Sequence, residues 1–272
     1  VTTTTAGRQA AGYMFDNTTD EAAHQLRHLG DILDPGTRRT LFELGIGPGW
    51  TVTDIGAGAG TLTTWLADQV APGGGHVTAV DLDPRHITAS STVTVRAGDI
   101  RDMELEGSQQ AIVARLVLMH LPEREQVLTQ VVQALAPGGV LVVADWDCTW
   151  RDMIRASPSP RATALIERFQ DALLSFGESR GADMGWAKRA PEAMLRAGLV
   201  DVDSRIESRS WRGGTGICLL HRSNSIQREA QLLDAGMTRE ELTELRQVLM
   251  DPELMLSGYL MHTTVGRRPT TA

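Results

Sequence analysis

An α/β fold built on a mostly parallel sheet is what this sequence of 272 residues predicts, on three observations. Between Thr51 and Asp145, short runs rich in β-branched residues alternate with stretches of helical periodicity, the pattern of strands joined by crossover helices. Glycine- and proline-rich punctuation separates them at Ala71-Pro72-Gly73-Gly74-Gly75 and Ala136-Pro137-Gly138-Gly139. The first strand turns into its helix through three closely spaced glycines, Gly56, Gly58 and Gly60, and later strands end in acids.

The elements follow in order. Residues 13–44 read as helical, with Leu26, Leu29 and Ile32 on the apolar side and Asp31 and Asp34 on the polar one. Asp34-Pro35-Gly36 predicts a break there, and a second helix, 37–44, ends at Gly45. Strands are predicted at 51–55, 76–81, 92–97, 110–116 and 140–145, with helices between them. The alternation then lapses into about 45 residues with two helical patterns, 161–176 and 187–197. An insertion after a strand's carboxyl end lies over the ligand crevice of such a sheet. Residues 200–211 alternate like a strand, 239–249 read as a helix capped by Thr238, and 258–267 read as a final strand.

Hydrophobic residues at 42% and charged residues at 22% are close to globular averages. A net charge of -8 disfavours nucleic acid as a partner, because backbone binding depends on clustered Lys and Arg. No apolar run is long enough to span a membrane, and Val1 to Ala6 lacks the basic and apolar parts of a signal peptide, so a cytoplasmic protein without a membrane partner is expected. Cys148 and Cys218 lack metal-ligand spacing and read as ordinary thiols; no metal is expected.

The chemistry gathers around the glycines. In Asp54-Ile55-Gly56-Ala57-Gly58-Ala59-Gly60, backbone without side chains lets a ligand approach the amino end of a helix. A structural turn, a nicotinamide dinucleotide loop and another nucleoside site share this feature, though the spacing is G-x-G-x-G. Asp81 ends the second strand about 20 residues on, where a carboxylate accepts ribose hydroxyls, with Leu82 beside it. Asp99 and Ile100 close the third strand, an acid for an exocyclic amine beside an apolar face for a ring.

With these motifs in order, the sequence resembles the class I S-adenosylmethionine-dependent methyltransferases over residues 52–145. The glycine loop at Asp54 to Gly60, the ribose acid Asp81, the adenine pair Asp99 and Ile100, the segment from Ala114 and Arg115 to Pro122, and Leu135 to Gly139 carry it. The flanks, Tyr13 to Asn17, Leu41 to Trp50 and Gly266 to Pro269, are similar to small-molecule methyltransferases of actinobacterial secondary metabolism. The resemblance implies a Rossmann-like, doubly wound, seven-stranded sheet with N-terminal helices and a helical lid insertion after the fifth strand. It divides the chain into a cap (1–50), a cofactor-binding core (51–145), a helical insertion (146–199) and the remaining core (200–272). It implies S-adenosylmethionine as cofactor, S-adenosylhomocysteine as its product, Tyr13 closing over the cofactor, and a small-molecule acceptor, aromatic or terpenoid.

Methyl transfer by in-line displacement needs aligned reactants more than acid–base groups. Where the acceptor arrives protonated, His120 at the carboxyl edge of the fourth strand is the candidate base, and Asp145 after the fifth is comparable. His120 also reads as a residue orienting the turn into Pro122. Met119, Trp146, Trp150 and Trp186 lie where an acceptor is expected, and the six Trp against four Phe favour an aromatic one. The competing readings are a cofactor-retaining enzyme that catalyses a cyclisation or another non-methylating step, a nicotinamide oxidoreductase, and a non-catalytic partner-binding protein motivated by the leucines of 240–249. A homo-oligomer is compatible with exchangeable N-terminal helices.

Overall fold

The computed structural model describes residues 20–270. A first helix, α1 (Asp20–Glu43), precedes β1 (Thr51–Ile55), α2 (Thr61–Val70), β2 (His76–Asp81), β3 (Val93–Ala97), β4 (Gln109–Arg115), α3 (Arg124–Ala134) and β5 (Leu135–Asp147). There follow β6 (Ile154–Ala156), α4 (Pro160–Ser179), α5 (Trp186–Arg196), β7 (Val200–Glu207) and β8 (Ser210–Arg212). The chain closes with α6 (Gly216–Gln227), α7 (Glu229–Asp234), α8 (Arg239–Val248), β9 (Met255–Ser257) and β10 (Leu260–Arg267).

Seven strands form one sheet in the order β3-β2-β1-β4-β5-β10-β7. The first five are mutually parallel, and β10 runs antiparallel between β5 and β7. The period-2 alternation of a strand sorts its side chains between two cores. In β4, Ala111 and Val113 join Val52, Leu62 and Leu66 on one face, whereas Ile112 and Ala114 join Val127, Val131 and Met194 on the other. Burial on both faces explains why β1, β4 and β5 read as apolar runs. The strand order reverses between β1 and β4, so a crevice opens where their carboxyl ends diverge. Both expected features, the doubly wound arrangement and the mostly parallel seven-stranded sheet, are present.

Several expectations need correction. Asp34-Pro35-Gly36 does not break the first helix: α1 is continuous, with Pro35 inside it. Pro35 is exposed, so its missing N–H is spent on the solvent side, while Asp34 before it is buried against two arginines, and that tertiary pairing overrides the local rule. Residues 82–92 form no helix between β2 and β3, and only a single 3-10 turn, Ile100–Asp102, leads toward β4. Strand β5 begins at Leu135, with the expected turn Pro137-Gly138-Gly139 absorbed as an irregularity opposite Gln109 and Ala111. Residues 200–211 split between two sheets, since β8 leaves β7 and pairs with β9, which pairs in turn with β6.

Helices α6 to α8 complete a third core with α4, in which Phe169, Leu173, Leu220, Leu242 and Leu256 are buried. Their termini are written locally. Ser159 accepts the Ala162 N–H at the start of α4 with Pro160 in the first turn, and Thr238 and Glu241 form a reciprocal capping box on α8. The roof above the crevice therefore comes from 213–254 as well as from 146–199.

Candidate functional site

Two adjoining cavities occupy the crevice. The first is lined by the glycine turn, by Asp81 and Leu82 after β2, by Asp99 and Ile100 after β3, and by Arg115 after β4. The turn needs its glycines: Gly56, Gly58 and Gly60 all have positive φ, at 70°, 55° and 73°. A Cβ on Gly56 would stand 2.3 Å from Val117 Cγ2, so this floor also has no room for a side chain. The Gly58 N–H donates to Asp81 Oδ2 at 2.8 Å, and the Asp83 N–H donates to Oδ1 at 2.9 Å. Each Asp81 oxygen keeps further lone-pair capacity for a ligand hydroxyl.

Asp99 accepts from the Arg101 backbone N–H at 3.0 Å and forms a forked pair with the Arg101 guanidinium, closest at 2.6 Å. That fork fills most of the carboxylate's acceptor positions, so an incoming amine must share Asp99 with Arg101. Arg115 is held at 2.8 Å by Asp34 of α1, which also pairs with Arg38 at 2.7 Å. Three expected cofactor residues stand behind the wall instead of lining it. Asp54 is buried beneath the turn, accepting from the Thr63 hydroxyl at 2.7 Å, and burial pushes its carboxyl up to about 6. Gly60 caps α2, and Ala114 packs in the core.

The second cavity lies between the sheet edge and the helical roof. Met119, Trp146, Cys148, Leu173, Leu220 and Tyr259 supply much of its wall, with Gln25 and Asn224 as polar members. Leu29, Leu116 and His120 line both cavities and mark where they meet. Leu116 adopts φ 52°, a left-handed conformation rare for a branched side chain, so backbone strain is stored at this junction. His120 follows it on the turn Leu118–His120. It lines both cavities, and burial, with the Arg124 charge nearby, pushes its imidazole down to about 4. It is therefore a neutral imidazole at pH 7.

Asp145 is placed differently from the expectation. It lines neither cavity, and its buried carboxyl faces the backbone N–H groups of Met119 and Val117 and the Trp186 indole, without a well-formed hydrogen bond to any of them. Burial pushes it up to about 7, and it sits under the turn that presents His120. Trp186 is buried in the core and Trp150 carries the Arg155 guanidinium over its ring at 5.4 Å; neither lines the cavities, so of the three tryptophans only Trp146 does. Tyr13 lies outside the described residues.

Leu29 and Asp34 were read from the sequence only as helix-face positions, and Arg101, Leu116, Asn224 and Tyr259 were not singled out as site residues. Their positions depend on contacts between segments up to about 200 residues apart, as with Gln25 and Asn224, and no local spacing announces those. Only Arg101, two residues after Asp99, had a local signal, as the cation beside an expected acid.

Comparison with known proteins bears on this cleft. Residues 53–143 match the family described as a methyltransferase domain. The chain is 31% identical over 149 residues to methyltransferase GfsG of Streptomyces halstedii, covering 51% of each protein. It is 28% identical over 153 residues to an arsenite methyltransferase of Halobacterium salinarum, covering 53% of this chain and 37% of that one. It is 31% identical over 116 residues to a carboxy-S-adenosyl-L-methionine synthase of Klebsiella pneumoniae, covering 39% and 47%. The chain thus spans about half or less of the length of these curated relatives. Among solved structures it shares its fold with phosphoethanolamine N-methyltransferase 2 of Haemonchus contortus in complex with S-adenosyl-L-methionine, at a TM-score of 0.57 and 15% identity, over 93% of this chain and 58% of that one.

The residues present fit S-adenosylmethionine. The side-chain-free floor at Gly56 admits a ligand against backbone, Asp81 keeps acceptor capacity for ribose hydroxyls, and Ile100 and Leu82 offer apolar surface beside Asp99. Residues 53–143 thus match a methyltransferase domain, and the fold around them is one shared with an S-adenosyl-L-methionine-bound methyltransferase.

Proposed function

We propose that the protein transfers a methyl group from S-adenosylmethionine to a small aromatic or terpenoid metabolite held in the second cavity. The observation that carries this reading is the junction: a cavity with the fittings for the cofactor opens, at Leu29, Leu116 and His120, into a cavity with an apolar wall. Bound there, the cofactor supplies an electrophilic methyl group. The chain's own residues do the rest. Asp81, the glycine turn and Asp99 with Ile100 hold the donor. Trp146, Met119 and the leucines of α4 and α6 exclude water from the acceptor, which favours displacement between aligned reactants. His120, neutral at pH 7 and facing both cavities, accepts the proton of an acceptor hydroxyl on its ring nitrogen. Asp145 acts through the turn beneath His120 as a positioning residue. The similarity to methyltransferase GfsG supports methyl transfer as the reaction.

The test is transfer of labelled methyl from S-adenosylmethionine into a panel of phenols and terpenoid alcohols, with isothermal titration of S-adenosylhomocysteine alongside. His120→Ala is expected to lower kcat by about 100-fold or more with a smaller change in cofactor affinity. No label transfer together with no cofactor binding sinks the proposal. The carboxy-S-adenosyl-L-methionine synthase relative favours a second reading, a cofactor-binding enzyme with another product. Cofactor binding with products that gain no methyl group selects it.

A further inference from the structure

We infer that the second cavity takes an uncharged, mainly apolar molecule carrying a hydrogen-bond-accepting oxygen, and that the side-chain amide of Asn224 receives that oxygen. The inference rests on the reading of this cavity as the acceptor site and adds the chemical class of the acceptor.

The charge argument comes from the wall itself. Among the described residues, no Asp, Glu, Lys or Arg lines the cavity. Its titratable members are neutral at pH 7: burial lowers the His120 imidazole to about 4 and holds the Cys148 thiol and the Tyr259 phenol above their ordinary values. A carboxylate, phosphate or ammonium entering here gives up its hydration and meets no counter-charge, so the wall selects against ions.

The oxygen preference comes from a directed chain of amides. Gln227 Nε2 donates to Gln25 Oε1 at 3.0 Å, and Gln25 Nε2 donates to Asn224 Oδ1 at 2.7 Å. This commits the Asn224 oxygen to α1 and leaves its amino group as the donor that the residue brings to the cavity, since no further bond of this side chain occurs among the described residues. The Tyr259 hydroxyl in the same wall does not compete as a donor. The Tyr259 hydroxyl donates to Gln170 Oε1, and Gln170 Nε2 in turn meets His221 Nε2 at 2.9 Å, so the tyrosine proton is already used. A ketone, ester, ether or hydroxyl oxygen satisfies the Asn224 donor, which otherwise stays unpaired in a poorly hydrated place.

The experiment titrates three naphthalene probes into the full chain at neutral pH, with and without S-adenosylhomocysteine: a naphthyl methyl ketone, naphthoate and naphthalene. Fluorescence of the protein, with Trp146 in the wall, reads binding. The ketone is expected to bind about tenfold more tightly than naphthoate and about fivefold more tightly than naphthalene. Asn224→Leu is expected to abolish the advantage of the ketone over naphthalene. Asn224→Asp, close to isosteric, serves the same purpose should leucine disturb the fold, and the wild-type ranking decides the charge argument by itself. Naphthoate binding as tightly as the ketone, an advantage of the ketone that survives loss of the Asn224 donor, or binding of none of the three overturns the inference. Failure of the methyltransferase reading is separate: the protein then fails to bind S-adenosylhomocysteine while the ranking of the probes is retained.

Discussion

Asp81 shows how one side chain acts on both the protein and its ligand. One oxygen fixes the glycine turn through the Gly58 N–H, the other receives Asp83, and the remaining lone pairs face the cleft. Asp81→Ala therefore removes a ligand contact and loosens the floor together, and we expect S-adenosylhomocysteine affinity to fall by about 10–100-fold, the size of one to two hydrogen bonds, by isothermal titration. A loss of less than about threefold would show that ribose is held elsewhere. His221 makes a prediction about pH. Burial lowers its imidazole from 6.5 to about 3, so between these values the unfolded chain binds a proton that the folded chain does not. Its contribution to stability is thus intact above pH 6.5 and is lost as the pH falls toward 3, at up to about 1.4 kcal/mol per pH unit. Asp54 and Asp145, raised by burial, act in the opposite direction, so the comparison must be differential. The stability gap between wild type and His221→Gln, from denaturant unfolding, should shift in favour of the variant on acidification from pH 7 to 5; a constant gap would refute the assignment. At this scale the sequence was informative where function is local. Asp81, Asp99 and His120 stand at fixed distances from strand ends, whereas Asn224 and Tyr259 acquire their places only when α6 and β10 fold over the crevice.

Helix α1 is the element that local rules misjudged. Proline inside a helix removes one hydrogen bond and costs about 3 kcal/mol relative to alanine. Pro35 is tolerated because it points to solvent while its neighbours Leu33, Asp34 and Thr37 are buried. The Asp34 carboxylate ties the helix to Arg115 at the end of β4, and Gln25, further toward the amino end, ties it to α6. Pro35→Ala is accordingly expected to stabilise the protein by about 1–3 kcal/mol without loss of cofactor affinity, read as a higher midpoint of thermal unfolding. A destabilised variant would mean that the proline shapes the helix. The tryptophans carried a similar ambiguity. Trp146, Trp150 and Trp186 read alike in the chain, but Trp186 starts α5 and turns into the core, and Trp150 faces an arginine.

Across the molecule, the alternation of strands and helices was legible because the sheet imposes it on every segment from β1 to β5. The helical roof was legible only in part, since α6 and α7 pack by shape in a core of their own and have no spacing tied to the sheet. The cofactor is expected to join sheet, glycine turn and α1 in one cooperative unit. S-adenosylhomocysteine at about 100 times its Kd should add about 2.7 kcal/mol and raise the midpoint of unfolding by on the order of 5–10 °C. Calorimetry checks this, and a shift confined to the sheet in hydrogen exchange, with α1 unprotected, would show that the helix is not part of that unit.

One geometrical fact about α1 has kinetic weight. Leu26, Leu29 and Leu33 cover the first cavity, while Gln25 and Leu29 cover the second, so a single rod roofs both chambers. Swinging that rod away to release one occupant uncovers the other as well. On the proposed function, the residence times of spent donor and methylated product would then be coupled through this one helix.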